Sequence, residues 1–303
     1  MGHRVIEISE SGIFVSRYRG FMLVSLENEE RGRVPIEDIS VLIVSGTGCG
    51  LSSNLLQVLL ENNTPVIICG KNYLPAGMLM PISAHHQHAK RLKIQIETSG
   101  PLKKRLWQLI VKQKILNQGT ILQHFLGKDG GLLALAKRVG SGDSQNLEAQ
   151  AAKRYWPKIF GAKFVRNPNL GGINSLLNYG YAVLRAGTAR SVCAAGLHPA
   201  LGIHHSNQYN PFSLADDLME PVRPLVDYVV YKLWKSGLVE LNPEVKKKLA
   251  GILEMDLNSR MGASSLQNCL LRMGQTLASS LENGKEDLDI PLSPLPLQFA
   301  TEP

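Results

Sequence analysis

ISVLIVSGTGCGLSSNLLQVLLENNTPVIIC, residues 39–69, decides how the first part of the chain folds. Ile39–Val44 and Pro65–Cys69 are continuous apolar runs, the pattern of strands covered on both faces. Between them Ser52–Asn62 offers serine caps and a Leu55, Leu56, Leu59, Leu60 stripe, so a helix is expected against the sheet. Gly46, Gly48 and Gly50 follow a strand and precede a helix, which invites a dinucleotide-binding reading. That fold needs the GxGxxG register, and here Leu51 stands where the last glycine belongs, so the cluster reads as a tight turn.

Moving toward the N-terminus, Arg4–Ser9, Gly12–Tyr18 and Phe21–Leu26 are short β-favouring runs separated by Ser-Gly and Arg-Gly breaks, the spacing of consecutive hairpins. On the other side Pro75, Gly77 and Pro81 punctuate the chain and lead into a polar stretch carrying His85, His86 and His88. Nothing in that stretch fixes the imidazoles in a coordination geometry, so it reads as linker before metal site. From residue 91 the period is helical. Helices are expected over Pro101–Leu126, Ser144–Phe160 (capped by Asp143 or Ser144), Ile173–Ala195, Leu214–Trp234, Glu244–Met255 and Ser259–Leu281. Pro221 and Pro224 fall inside the fourth and should kink or divide it. The fold class is therefore α+β: a β-rich domain over 1–80, a linker over 81–90, a larger all-α domain over 91–285, and a Pro-rich tail over 286–303, extended or disordered. No fixed-period repeat is present.

The chain has 303 residues, 44% hydrophobic and 19% charged. That composition excludes disordered, collagen-like and coiled-coil classes. No apolar run reaches the ~20 residues of a membrane helix, and MGHRVIEIS has no signal-peptide core, so a cytoplasmic protein is expected. Cys49, Cys69, Cys193 and Cys269 lie far apart without a CxxC pair, as buried thiols of a reducing compartment do. The net charge of +8 is unevenly spread. Residues 91–190 hold 17 Lys and Arg against four acids, and residues 191–303 hold nine against 13. A basic block of this size suits a polyanion, although solvated helix faces carry lysines as well.

The densest chemistry is GLHPALGIHHSNQYNPFSLADDLMEPVRP, residues 196–224. It sets His204 and His205 in a Gly-flanked loop just before a helix that opens with Asp216, Asp217 and Glu220. Asp217 and Glu220 are i,i+3 neighbours, and Asp216 and Glu220 are i,i+4, so either pair shares a face. Acids near a helix N-terminus meet the helix dipole favourably, which accounts for part of the pattern. The other account is a divalent-metal site of carboxylate oxygens and one imidazole, and it needs a further acid from elsewhere. The basic block has four: Glu97, Asp129, Asp143 and Glu148. Glu148, in NLEAQAAKRYW, has small neighbours and is followed by Lys153, Arg154, Lys158, Lys163 and Arg166. It is either a salt-bridge partner or the acid that holds a metal beside bound phosphate. HExxH, GxSxG and GxxxxGK[ST] are all missing from the sequence, which removes zincin, serine hydrolase and P-loop readings.

Three motifs together, NLEAQAAKRYW (146–156), GLHPALGIHHSN (196–207) and SLADDLMEPVRP (213–224), resemble the CRISPR-associated adaptation integrases, the metal-dependent endonucleases of spacer acquisition. VPIEDISVLIV (34–44) and PVIICGKNYLPAGMLMP (65–81) are similar to that family's β-rich domain, and the likeness runs to about residue 285. The form of the second motif looks most like the type II branch. The resemblance implies an N-terminal β domain that forms a homodimer, a helical catalytic domain, and a small bridging subunit that joins two dimers into a heterohexamer, with other type II CRISPR proteins as further partners. It implies Glu148, His205 and Glu220 as catalytic metal ligands, with His204 and Asp217 as alternates. His204 stands where the family usually has an apolar residue, and Glu220 where many relatives have Asp.

The implied reaction is phosphoryl transfer at double-stranded DNA: a protospacer 3′-hydroxyl attacks the repeat boundary with the help of Mg²⁺ or Mn²⁺. An imidazole ligand favours Mn²⁺ over the all-oxygen shell that Mg²⁺ prefers. Lys153, Arg154, Lys163 and Arg166 are the expected phosphate contacts, which position DNA without reading its sequence. The rival readings are a metal-dependent repair nuclease acting on branched DNA and a non-catalytic DNA-binding scaffold.

Overall fold

The computed structural model describes residues 4–70, 75–81 and 87–297. Its first part runs Arg4–Ile8 (β1), Phe14–Tyr18 (β2), Phe21–Leu26 (β3), Glu29–Pro35 (β4), Ile39–Val44 (β5), Gly50–Leu51 (β6), Ser53–Glu61 (α1), Val66–Cys69 (β7) and Pro75–Leu79 (β8). These strands form two sheets. One has the order β1-β5-β7-β8, with β1, β5 and β7 parallel and β8 antiparallel at the edge. The other has the order β4-β3-β2-β6, in which only the β2–β6 pair is parallel.

All six residues of β5 are buried, and alternation explains why. Leu42, Val44 and Val66 point between the sheets onto Val15, Met22, Leu55 and Leu59. Val41, Ile43 and Ile67 point the other way and join the core of the helical part. A strand with one face in each core has no solvent side, so its sequence does not alternate. The Gly46–Gly50 segment is the expected tight turn. Gly46 N donates to Ile8 O at 2.9 Å, and a Cβ there would lie 2.3 Å from Glu10 O, so the turn passes too close to the neighbouring backbone for a side chain at 46.

The second part contains His88–Glu97 (α2), Gly100–Leu126 (α3), Leu132–Ala136 (α4), Leu147–Phe160 (α5), Ile173–Ala194 (α6), Ser213–Met219 (α7), Arg223–Lys235 (α8), Pro243–Ala250 (α9), Asp256–Ser259 (β9), Gly262–Ser265 (β10) and Leu266–Asn283 (α10). The small-residue helix α6 is the centre, packed by α7, α8, α9 and α10. Gly180 and Gly187 lie against Val226 and Leu253, where a Cβ would come within 2.5 and 2.8 Å of those side chains. No helix is long and apolar enough to cross a membrane among the described residues.

Several boundaries differ from the sequence reading. The helix expected from Ser259 begins at Leu266, because Asp256–Ser259 and Gly262–Ser265 pair as a hairpin; the second part is thus not all-α. Pro75 and Gly77, read as punctuation, belong to edge strand β8. Glu29–Pro35, too charged to read as β, is the edge strand paired to β3. His88 opens α2 and so is not linker, while His85 and His86 lie outside the described residues. The tail is extended and docked through Leu297. Leu288 is buried, and Leu292 and Leu297 donate from their backbone to Asn258 and Asp256 of β9 at 2.9 and 2.8 Å.

Candidate active site

The site is assembled on α3. Trp107, Lys114 and Asn117 are spaced by seven and three residues, so they share one face of that helix. Asn117 donates to Pro221 O at 2.6 Å, which fixes the 3₁₀ turn Glu220–Val222 that joins α7 to α8. The two prolines divide the expected long helix here, and the break turns Glu220 inward, 6% exposed.

Glu148 arrives from the first turn of α5. The left-handed Asn146 caps that helix by accepting from Ala149 N at 3.3 Å. Asp143 accepts from the Leu147 and Glu148 amides at 2.8 and 3.0 Å. Both residues satisfy amides that a helix start leaves open. Asp143 therefore takes part in the cap as expected, but the helix itself begins at Leu147.

The Lys114 ammonium lies between the two glutamates, 2.5 Å from Glu148 Oε1 and 2.5 Å from Glu220 Oε2. Only the Glu148 contact has hydrogen-bond geometry; Glu220 Oε2 is buried with a charge contact and no hydrogen bond. Arg223 Nε pairs with the other Glu220 oxygen at 2.8 Å. Burial works to raise the Glu220 pKa, and Arg223 and Lys114 outweigh it, so the carboxyl titrates below its ordinary value. For Lys114 burial pulls the other way, and Glu220 and Glu148 hold its pKa above the ordinary lysine value.

His205 stands on the loop before α7, and its partner is Asp217. Asp217 is fully buried. Its Oδ2 accepts the Ile203 and His204 amides at 2.7 and 2.8 Å, and its Oδ1 lies 2.5 Å from His205 Nδ1. The hydrogen bond to Asp217 leads the causes that raise the His205 pKa, and Glu220 and Glu148 add to it from farther away. With Nδ1 held, Nε2 is the nitrogen left to face a ligand. Gly202 makes the wrap feasible: a Cβ there would lie 2.2 Å from His205 O and 3.0 Å from Asp217 Oδ2. His204 instead stacks flat on Trp107, ring centroids 4.3 Å apart and 1° from parallel.

The structure thus brings Glu148 and Glu220 onto one cation, with His205 as the oriented imidazole close enough to feel both. Both oxygens of Asp217 are engaged, by the loop amides and by the His205 ring. Among the described residues no three His, Cys, Asp or Glu side chains stand in a metal-ligating arrangement as they are. The donor set nevertheless fits a divalent ion: two carboxylate oxygens already converge on one positive charge, and one of them has no hydrogen bond. In the sequence Lys114 is one base of the Pro101–Leu126 stretch, beside Lys103, Lys104, Arg105 and Lys112, with nothing in its residue type to single it out. The available signal was its position, seven residues after Trp107 and four after Ile110, on the buried stripe of α3.

Lys153 and Arg154 are exposed on α5, one to two turns past Glu148, and Lys163 is exposed just beyond that helix. Arg166 is committed elsewhere. Its guanidinium donates to Asn174 and Asn178 at 3.1 and 2.7 Å. It also lines a cavity of about 960 Å³ together with Tyr181, Arg185, Phe212 and Arg223.

The family model described as CRISPR associated protein Cas1 matches residues 6–261. The CRISPR-associated endonuclease Cas1 of Neisseria meningitidis serogroup C (strain 8013) is 42% identical over 254 residues, covering 82% of this chain and 83% of the relative. Two solved structures share the fold. A casposase bound to integration product superposes with a TM-score of 0.78 at 20% identity, covering 94% of this chain and 92% of that one. A Cas1 protein from Thermotoga maritima does so with a TM-score of 0.75 at 17% identity, covering 94% and 99%.

Proposed function

This chain belongs to the CRISPR-associated Cas1 family, and from that membership we propose that it is the adaptation integrase of a type II system. In this reading it joins protospacer 3′-hydroxyl ends to the CRISPR repeat, with Mg²⁺ or Mn²⁺ held by Glu148, His205 and Glu220. The convergence of Glu148 and Glu220 on a single cation beside the Asp217-oriented His205 carries the proposal. A scaffold protein has no use for a buried and a half-buried acid aimed at one point, since like charges brought together cost stability.

The reaction is an exchange of phosphodiesters. The protospacer 3′-oxygen bonds to phosphorus, the bond from that phosphorus to the target strand's 3′-oxygen breaks, the attacking hydroxyl loses its proton and the leaving oxygen gains one. A bound divalent ion supplies charge stabilisation at the phosphoryl oxygens and lowers the pKa of the attacking hydroxyl. Glu148 and Glu220 provide hard oxygen donors. Asp217 fixes the tautomer and direction of the His205 ring. Lys153, Arg154 and Lys163 hold the DNA backbone on the exposed face that continues α5 away from the site. Water in place of the 3′-hydroxyl gives plain endonuclease activity at the same groups.

The proposed assembly is a homodimer through the β-rich part, two such dimers bridged by a small partner subunit, acting in the cytoplasm on double-stranded DNA. The test is joining of short duplexes to a supercoiled plasmid bearing a leader and repeat, with wild-type protein and Glu148→Ala. Joining by the wild type and none by the variant is expected. Equal joining by both removes the assigned site, and wild-type cutting without joining assigns the protein to nucleic-acid repair.

A further inference from the structure

We propose that Lys114 is a built-in counter-cation of the active site, and that uptake of a divalent metal is a cation exchange in which the Lys114 ammonium leaves Glu148 and Glu220. This rests on the metal reading above and goes beyond it by assigning a role to a residue on a different helix.

The geometry is specific. Lys114 Nζ is 2.5 Å from an oxygen of each glutamate, and the side chain is only 14% exposed. A divalent ion bonded at about 2.1 Å to the same two oxygens would stand within a few ångströms of that ammonium. Two cations so close, in a place largely shut off from water, repel too strongly to share the pair. The exchange needs the acids to keep their places when the lysine goes, and the structure provides for this. Glu220 retains Arg223 at 2.8 Å on its other oxygen. Glu148 sits in the first turn of α5, where the helix start favours an anion. Lysine suits the displaceable role because its four-carbon stem is flexible and its ammonium is a point charge, whereas arginine's fork would hold both carboxylates more rigidly. In the metal-free protein the same ammonium offsets the repulsion between Glu148 and Glu220, so the site is folded before metal arrives.

Mn²⁺ binding to the full-length protein, followed by electron paramagnetic resonance, provides the test with wild type, Lys114→Met, Lys114→Gln and Glu148→Gln. The exchange predicts binding at least tenfold tighter in both Lys114 variants, because no resident cation has to be displaced, together with a lower melting temperature in metal-free buffer. It also predicts that in the wild-type protein Mn²⁺ raises acylation of Lys114 by an amine-reactive ester several-fold, read by peptide mass spectrometry. This second measurement stands even where a variant fails to fold. No Mn²⁺ binding, or binding indifferent to Glu148→Gln, removes the metal reading and the exchange with it. Binding that depends on Glu148 but is equal or weaker in the Lys114 variants, or Lys114 acylation unchanged by Mn²⁺, overturns the exchange alone.

Discussion

Asp217 holds His205 at two points, its Oδ1 lying 2.5 Å from the ring Nδ1 while the same carboxylate reaches the His205 amide at 3.3 Å. The two residues are twelve apart in sequence, and the backbone of 203–205 closes on the carboxylate, which is wholly buried.

Replacing Asp217 with Asn therefore costs more than a charge. One oxygen becomes an NH₂ that faces amide donors, and the remaining oxygen cannot serve both ring and backbone. Hydrogen bonds to a buried charge contribute up to about 3 kcal/mol each, so Asp217→Asn should lower stability by about 3 kcal/mol in urea unfolding. Joining should fall at least 100-fold. Gly202→Ala attacks the same wrap from outside and should reduce joining similarly while leaving the carboxylate in place. Near-wild-type joining by either variant would mean that the loop does not position His205.

The adjacent histidines should separate cleanly. His204→Ala removes a stacking partner from Trp107, an interaction worth about 1 kcal/mol, and should leave joining within a few-fold of wild type. His205→Ala should abolish joining and weaken Mn²⁺ binding. The reverse ranking in a side-by-side joining assay would assign the chemistry to His204.

Which parts of this were legible beforehand follows from where the information lies. β5, β7 and α1 were readable because burial on both faces and a leucine stripe are local patterns. The two-piece α7–α8 helix was readable because Pro221 and Pro224 act on their own neighbourhoods. β4 was not, since EERGRVP is an exposed edge whose only reason to be extended is its partner β3. The β9–β10 hairpin was hidden likewise in DLNSRMGASS, a polar stretch held in part by the docked tail. Glu148, His205, Asp217 and Glu220 were identified as candidates from their motifs. The division of labour between Asp217 and Glu220 required the backbone, and Lys114 required a contact between residues 34 and 106 positions apart.

Asp227, on α8 behind the site, gives a pH signature of its own. It is buried, accepts a hydrogen bond from Tyr181, and burial pushes its pKa up to about 6, against about 3.9 in an unfolded chain. Between pH 4 and 6 the folded protein thus keeps a proton that the unfolded chain has released, so this group makes stability fall as pH rises through that window and then level off. The separation corresponds to about 3 kcal/mol. Asn at 227 can still accept from Tyr181 without titrating, so the difference in unfolding free energy between wild type and Asp227→Asn should drift by about that amount from pH 4 to 7. Parallel pH profiles for the two proteins would contradict the assignment.

Four basic residues were expected on DNA, and the structure divides them. Lys153, Arg154 and Lys163 are exposed; each change to Ala should weaken binding of any duplex and reduce the slope of log K against log salt by about 0.9 for each phosphate no longer neutralised. Arg166 is tied to Asn174 and Asn178. Arg166→Ala should instead lower stability by about 1–2 kcal/mol through the loss of charged hydrogen bonds, with a smaller change in salt slope. Fluorescence-anisotropy titrations at several salt concentrations, beside urea unfolding, separate the two effects.

The β-rich and helical parts should unfold as one unit, because a buried polar cluster joins them in addition to their shared core. Glu7 of β1 accepts from Tyr179 of α6 at 2.7 Å and pairs with Lys246 of α9 at 3.2 Å. Ser45 also donates to it. Removing one member of a buried pair strands the other's charge, which costs about 3–5 kcal/mol, whereas removing both is far milder. Lys246→Met should therefore be strongly destabilising, and Glu7→Gln added to it should restore most of the loss. Trp107, Trp156 and Trp234 all lie in the helical part, so tryptophan fluorescence reports that part alone while far-ultraviolet circular dichroism reports both. Coincident melting by the two probes is the expected result in the wild type. Earlier loss of the dichroism signal would show that β1–β8 come away first and that the Glu7–Lys246 cluster does not couple the two parts.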